Sequence, residues 1–187
     1  MKKLFGLLIM VGIGYAIWYT SNKTASNPVP LTNKAKVEST STLNHPDPRN
    51  ATFKFEDGSI TLNKGTNSEP VTKGSSTMQE TSILDPIGYG DINKDGKEDA
   101  VVALIQSGAG TGSFIYIGAY VSGTIEYKGT NTIYVGDRII VKSIIIDKGE
   151  ITFSYIDRKP DEPMDAEPTV SAYKTFVYTN GELKEKN

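Results

Sequence analysis

The sequence GDINKDGKEDAVVAL, residues 90–104, contains an acidic loop that runs directly into an apolar segment. Its first half alternates side chains that carry oxygen, Asp91, Asn93 and Asp95, and then turns sharply at Gly96. Its last five residues, AVVAL, form an uninterrupted apolar run, which is typical of a buried β-strand. The pattern therefore predicts a loop that holds a hard cation and leads into a central strand.

The acidic half matches the ligand chemistry of calcium, which takes about six to eight oxygens at about 2.3–2.6 Å. Alternating side chains can converge on one point when the backbone curls around it, and a main-chain carbonyl can add a further oxygen. We therefore predict a calcium site formed by Asp91, Asn93, Asp95, the carbonyl of Lys97, and Asp99. Magnesium fits less well, because a curled protein cage suits the larger and more flexible ion. No evident catalytic base accompanies the loop, so we expect the ion to be structural.

The form D-x-N-x-D-G-x-x-D at residues 91–99 resembles the calcium loops of FG-GAP repeats in integrin-type propellers, where the loop also leads into a strand. The resemblance covers the loop alone, because one copy occurs and a propeller needs several blades. An EF-hand is excluded, since its twelfth position is Val102 here and no helical pattern flanks the loop. A simpler interpretation stays open, in which the loop is a plain turn with solvated carboxylates and no ion.

The composition excludes several kinds of site. The chain of 187 residues has no cysteine and a single histidine, His45, which rules out thiolate sites, disulfides and multi-histidine zinc sites. Residues 1–50 contain six Lys/Arg and two Asp/Glu, a net charge of +4, whereas residues 51–187 contain fourteen and twenty, a net charge of −6. An acidic folded part argues against nucleic acid as a partner.

The N-terminal region predicts a membrane anchor. Lys2 and Lys3 precede an apolar run at residues 4–20, and Trp18 and Tyr19 lie where an interfacial aromatic belt is expected. This run is at the lower end of the roughly 17–25 residues that a helix needs to cross a bilayer. The two lysines place the N-terminus in the cytoplasm and the rest of the chain outside it.

We therefore expect residues 1–20 to form an uncleaved signal-anchor helix that crosses the membrane once. A cleaved signal peptide and a secreted domain are the alternative, although the nearest small residue before a cut, Ala25, has Lys23 where a second small residue is needed. Residues 21–49 are rich in Ser, Thr, Asn and Pro and predict a disordered linker. Residues 50–187 form the predicted extracytoplasmic domain.

That domain is predicted to be all-β. Short runs rich in Val, Ile, Tyr, Phe and Thr alternate with turn signals, and nothing after residue 20 has a sustained helical period. The predicted strands are residues 51–56, 59–62, 100–106, 113–121, 133–135, 139–146, 151–156, 173–178 and 182–184. Residues 63–82 are predicted to be a polar loop with at most one edge strand. We expect a small antiparallel meander, either a curled barrel or a sandwich.

Two other segments have a superficial likeness to functional sites. The run GAGTG at residues 108–112 is similar to a phosphate-binding loop, but the following FIYI has a strand pattern, so a hairpin connection is expected. Residues 157–169 concentrate carboxylates and prolines, and paired carboxylates are the chemistry of glycosidases. Spacing along a loop does not fix the separation of its carboxylates, so a solvated connection is the preferred interpretation.

Several further pieces occur in one order along residues 50–184: NAT at 50–52, the loop at 90–100, GTGSF at 110–114, YKGTN at 127–131, GDR at 136–138, DRKP at 157–160 and EPM at 162–164. These pieces and their order resemble a family of uncharacterised bacterial envelope proteins, many of which are anchored as lipoproteins. The resemblance implies an exported β-rich domain without an established activity or catalytic residues. The chain departs from the family at its anchor, where a hydrophobic helix replaces the lipidated cysteine.

The preferred functional hypothesis is a membrane-tethered extracytoplasmic β-domain with structural calcium and a binding or envelope-structural role, not a catalytic one. Its partner in the envelope, a protein or a polysaccharide, is not specified by the sequence. One alternative is an envelope hydrolase that uses carboxylates of residues 157–167, and another is a purely structural domain without an ion.

Overall fold

The fold is known from a computed structural model that describes residues 44–108, 110 and 112–186. These residues belong to one compact unit, Thr42–Asn187. The predicted anchor at residues 1–20 and residues 21–43 of the predicted linker lie outside the described residues. The last linker residues, 44–49, are described, and Pro48 among them is buried. Within the described ranges, no helix has both the length and the apolar character required to cross a membrane.

The domain is all-β, as the sequence predicts. A short 3-10 helix, Pro48–Asn50, precedes the strands, and no α-helix occurs in the described part of the chain. The strands are β1 Thr52–Phe55, β2 Gly58–Thr61, β3 Thr66–Pro70, β4 Met78–Gly90, β5 Asp99–Ser107, β6 Ser113–Val121, β7 Lys128–Gly129, β8 Ile133–Asp137, β9 Ile140–Asp147, β10 Glu150–Asp157, β11 Val170–Thr179 and β12 Glu182–Glu185.

A six-stranded antiparallel sheet forms the centre of the domain. Its order is β3-β4-β5-β6-β7, and β8 also pairs with β6. Strand β5 contains the AVVAL run, whose five residues, 100–104, have no exposed surface. The prediction of a central buried strand after the acidic loop is therefore confirmed. Strands β5 and β6 pair from Ala100↔Tyr120 to Ser107↔Ser113, which confirms that residues 108–112 connect a hairpin.

The two faces of this sheet are covered by different elements. A four-stranded sheet of order β12-β11-β10-β9 packs on one face, where Val101 and Ala103 share a core with Phe153 and Phe176. The β1-β2 hairpin packs on the other face. There the side chains that meet in a second core are Phe53, Phe55, Ile60, Val102 and Leu104.

The barrel alternative is wrong, because the sheets remain open and pack as layers. The AVVAL run explains this difference, since successive side chains of a strand point to opposite faces. Val102 and Leu104 need a cover on one face while Val101 and Ala103 need one on the other. Layers on both sides of β5 provide both covers, so the layered, sandwich-like alternative describes the domain.

Residues 63–82 were predicted to be mostly loop. They instead contain β3 and the start of β4, so this prediction is wrong. Strand β4 pairs with β5 from Glu80↔Ser107 to Gly90↔Asp99, with a register shift between Leu84 and Gly88. A Cβ atom at Gly88 would lie 2.6 Å from Cγ2 of Ile144, so β4 approaches β9 at a distance that only glycine allows. The end of β4 is thereby fixed where the acidic loop begins.

Candidate metal centre

The acidic loop joins β4 to β5, and its last residue, Asp99, is completely buried. Oδ2 of Asp99 accepts a hydrogen bond from the main-chain N–H of Ile92 at 2.8 Å. Oδ1 accepts from the N–H of Ser122 at 2.7 Å. This carboxylate therefore ties the start of the loop to the segment that follows β6, and its burial makes both contacts strong.

Asp91 holds the middle of the loop through a single carboxylate. Oδ1 accepts from the N–H groups of Lys94 at 2.7 Å and Asp95 at 3.2 Å, and Oδ2 accepts from Gly96 at 2.9 Å. Lys94 and Gly96 have φ angles of 63° and 84°, so the backbone curls through left-handed conformations twice. Nothing lies within 4 Å of a Cβ atom built at Gly96, so the conformation, and not lack of space, selects glycine there.

Asn93 and Asp95 close the other side of the curl. Oδ1 of Asn93 accepts from the N–H of Asp95 at 3.0 Å, and Oδ1 of Asp95 accepts from the N–H of Lys97 at 2.9 Å. The Ser122 hydroxyl donates to Oδ2 of Asp95 at 2.7 Å. The hydroxyl contact, and then the Lys97 amide, lower the pKa of Asp95 below its ordinary value. Asp95 is therefore an anion at neutral pH.

The segment after β6 contributes groups that sequence reasoning missed. Nδ2 of Asn93 donates to the main-chain carbonyl of Ser122 at 2.9 Å, and Nζ of Lys97 donates to the carbonyl of Gly123 at 3.1 Å. The Tyr127 hydroxyl donates to the carbonyl of Glu98 at 2.9 Å. These partners lie more than twenty residues from the loop in sequence, so no local spacing signals them.

The electrostatic potential around the loop is negative. Burial raises the pKa of the Tyr127 phenol, and the carboxylates of Asp99, Asp95 and Glu98 raise it further. These three carboxylates disfavour a negative charge on the phenol, and the same carboxylates favour a nearby cation. The loop and its surroundings therefore suit a positive ion.

The five predicted ligand residues differ in their surroundings. Asp91, Asn93 and Asp95 accept hydrogen bonds from the amides of the curl, whereas both oxygens of the buried Asp99 accept from Ile92 and Ser122. Oδ2 of Asp91, Oδ1 of Asn93 and both carboxylate oxygens of Asp95 each accept one hydrogen bond and keep a second lone pair that a hard cation can use. Among the described residues no group of three or more His, Cys, Asp or Glu side chains has the arrangement of a metal site. The predicted set relies in addition on the Asn93 amide oxygen and the Lys97 carbonyl.

His45 connects the first described residues to this region. Its Nδ1 lies 2.5 Å from Oε2 of Glu98, and its ring stacks on Tyr89 with a centroid distance of 4.1 Å. The chain that enters the domain therefore passes beside the acidic loop. The composition offered no such role for the only histidine.

The second polar concentration, residues 157–169, is held by arginines. Nε of Arg158 donates to the carbonyl of Ala166 at 2.7 Å, and its Nη1 donates to the carbonyl of Asp137 at 3.2 Å. Nη1 of Arg138 donates to the carbonyl of Met164 at 3.3 Å and lies 3.6 Å from Oδ2 of Asp137. Asp137 and Arg138 therefore form an ion pair, and this pair is part of the support for this loop.

The carboxylates of this second loop lack the environment of a glycosidase acid. Asp161, Asp165 and Glu167 are exposed. Glu162 accepts from the N–H of Lys159 at 3.0 Å, and this hydrogen bond lowers the pKa of Glu162 below its ordinary value. A general acid of a glycosidase needs a raised pKa, which comes from a desolvated site. The geometry thus provides no support for the hydrolase hypothesis.

Comparisons with protein-family models, with curated proteins and with solved structures find no match. The similarity to FG-GAP loops and to bacterial envelope proteins therefore stays a prediction from the sequence. The functional interpretation depends on the geometry of the loop itself.

Proposed function

We propose that this chain is a membrane-tethered domain outside the cytoplasm in which loop 91–99 binds calcium as a structural ion. The domain has a binding or envelope-structural role and no catalytic one. Its contact with the membrane is the N-terminal helix, and its envelope partner is a protein or a polysaccharide.

The calcium proposal depends mainly on the hydrogen bonds that the Asp91 carboxylate accepts. This carboxylate accepts three main-chain amides, those of Lys94, Asp95 and Gly96, which forces the loop to curl around its own acidic side chains. Oδ1 of Asp91 and Oδ1 of Asn93 both accept from the N–H of Asp95, so these two oxygens lie close together, as neighbouring ligands of a flexible calcium cage would. The calcium ligands are therefore preorganised by hydrogen bonds within the loop.

Charge balance supports the same proposal. Residues 91–99 contain four carboxylates and two lysines, a formal charge of −2. Carboxylates this close repel one another when nothing compensates them, and a divalent ion offsets this charge. Calcium would therefore stabilise the folded domain with little change in its backbone.

The test is a thermal melt of the full-length chain in mild detergent, with calcium, with magnesium and with a chelator. Calcium at about a thousand times its Kd should add about 4 kcal/mol to the free energy of unfolding, if the unfolded chain does not bind it. The variant Asp95→Asn keeps the side-chain shape, removes one charge and should lose most of this gain. Glu162→Gln, which removes a charge from the other loop, should keep it.

Identical melts with calcium and with chelator, together with an Asp95→Asn variant that melts like the parent chain, would remove the calcium proposal. The domain would then be a purely structural one without an ion.

The placement outside the cytoplasm has a separate test. Protease added to intact cells should digest residues 50–187 while leaving a cytoplasmic marker protein whole. Protection of the domain in cells whose other surface proteins are cleaved would contradict this placement.

A further inference from the structure

A group of partly exposed aromatic rings lies beyond the tip of the β1-β2 hairpin, on the hairpin-covered face of the six-stranded sheet. Phe114 and Tyr116 are two residues apart on β6, and Tyr134 on β8 is the register partner of Tyr116. Their ring centroids are 5.7 Å apart for Tyr116–Tyr134 and 6.4 Å apart for Phe114–Tyr134. Phe114 is 43% and Tyr134 is 48% exposed. We call these three residues the aromatic patch.

The patch is held in place from two sides. Phe55, at the end of β1, contacts Tyr116 edge-on with a centroid distance of 5.1 Å. The Phe114 ring lies over Gly112, where a Cβ atom would come within 2.5 Å of Cζ. The aromatic surface is therefore formed before any partner arrives, which lowers the entropic cost of binding.

Carboxylates surround the patch. Glu56 and Asp57 form the exposed hairpin tip directly after Phe55, and neither has an ion-pair partner within the described part of the chain. Burial raises the pKa of Tyr116, and Asp57 and Glu56 raise it further. Burial, and then Asp137 and Asp157, do the same for Tyr134. The rings thus face unpaired carboxylates on the hairpin side, whereas Asp137 on the other side is paired with Arg138. The domain as a whole is acidic, with a net charge of −6 over residues 51–187.

Charge at the patch discriminates between classes of partner. The planes of Tyr116 and Tyr134 meet at 66°, and those of Phe114 and Tyr134 meet at 57°. A cation can bind over the exposed face of such a ring. The unpaired carboxylates of Glu56 and Asp57 favour a cation over a neutral sugar.

We propose that the aromatic patch binds the guanidinium or ammonium groups of a basic peptide segment on a partner protein. A cation within about 6 Å of a ring centroid is attracted by the ring face, and arginine also stacks on aromatic rings. The unpaired carboxylates at Glu56 and Asp57 then accept hydrogen bonds from the same side chain or the next basic one. This interaction does not depend on calcium or on the placement of the domain outside the cytoplasm.

The test is a binding titration of the full-length chain in detergent with fluorescently labelled octa-arginine and octa-lysine peptides, at low and at physiological salt. The double variant Phe114→Leu/Tyr134→Leu should weaken octa-arginine binding by about three- to tenfold, as expected for the loss of two exposed cation–π contacts. Arginine should bind more tightly than lysine because it alone stacks. Tyr173→Leu removes a 72% exposed ring from the four-stranded sheet and should leave the affinity unchanged.

A second variant, Glu56→Gln/Asp57→Asn, changes only the exposed hairpin tip and should weaken binding of both peptides without altering the melting temperature. Equal affinities for the parent chain, the patch variants and Tyr173→Leu would overturn the proposal, as would no binding at all. Binding of chitin oligosaccharides in place of peptide, or a dimer that the patch variants abolish, would assign the patch to another partner and also overturn it.

Discussion

The two acidic loops of this domain have similar composition but differ in the contacts that hold most of their backbone. In loop 91–99, side-chain oxygens accept hydrogen bonds from main-chain N–H groups, as Asp91 does from Lys94 and Gly96. In loop 157–169, guanidinium groups donate to main-chain carbonyls, as Arg158 does to Ala166. Asp99 in the first loop is completely buried, whereas Asp95 in that loop and Asp161 and Asp165 in the second are exposed. We propose a cation site only in the first loop, and composition alone does not distinguish the two.

Among the variants that test the difference between the two loops, loss of the Asp99 carboxylate is expected to lower stability the most. Asp99→Ala leaves the buried N–H groups of Ile92 and Ser122 without acceptors, which should lower the free energy of unfolding by about 2–5 kcal/mol. Urea denaturation followed by circular dichroism measures this loss. Asp165→Ala, on the exposed part of the other loop, should change it by less than about 0.5 kcal/mol. Equal losses in both variants would mean that the two loops are held alike.

Arg158 provides the corresponding test of the second loop, with a smaller expected effect because this side chain is only half-buried. Arg158→Ala removes the hydrogen bonds to the carbonyls of Ala166 and Asp137 and should cost about 1–2 kcal/mol. Limited proteolysis should then cleave the variant within residues 159–169 earlier than the parent chain. Lys159→Ala is the matched control, and cleavage at the same rate in both variants would contradict the role of Arg158.

The smallest effect is expected at Glu162, and it depends on pH. The Lys159 amide lowers the pKa of Glu162 from its ordinary value of 4.5, so the charged carboxylate stabilises the folded state. The difference in unfolding free energy between parent and Glu162→Gln should therefore be present at neutral pH. It should disappear as the pH falls below 4.5. Urea midpoints measured across this range test it, and a difference that grows on acidification would contradict the assignment.

Much of the fold could be predicted because local sequence and tertiary packing agree. The AVVAL run indicated a buried strand, and it lies in β5. Asn180-Gly181 is typical of a turn, and it connects β11 to β12 with φ angles of 54° and 83°. Strand β4 escaped prediction because Asp85-Pro86 interrupts its pattern and the glycines that follow lack side chains to show a period. Those glycines are required by the approach of β9, which only the assembled fold reveals.

The candidate metal centre was predictable to a similar degree. The acidic spacing identified Asp91, Asn93 and Asp95, whose hydrogen bonds with main-chain N–H groups the structure shows. It did not reveal Ser122, which is 29 residues from Asn93 and meets it only because β6 runs beside β5. It also gave no sign that Asp99 is fully buried, since burial depends on the layers that cover β5.

Calorimetric titration of the chelator-treated full-length chain with calcium tests whether loop 91–99 binds this ion. We expect saturable binding of a single calcium ion per chain, loss of that binding in Asp95→Asn, and unchanged binding in Glu162→Gln. Absence of a saturable heat in the parent chain, or binding that survives Asp95→Asn and fails in Glu162→Gln, would contradict the assignment of calcium to loop 91–99.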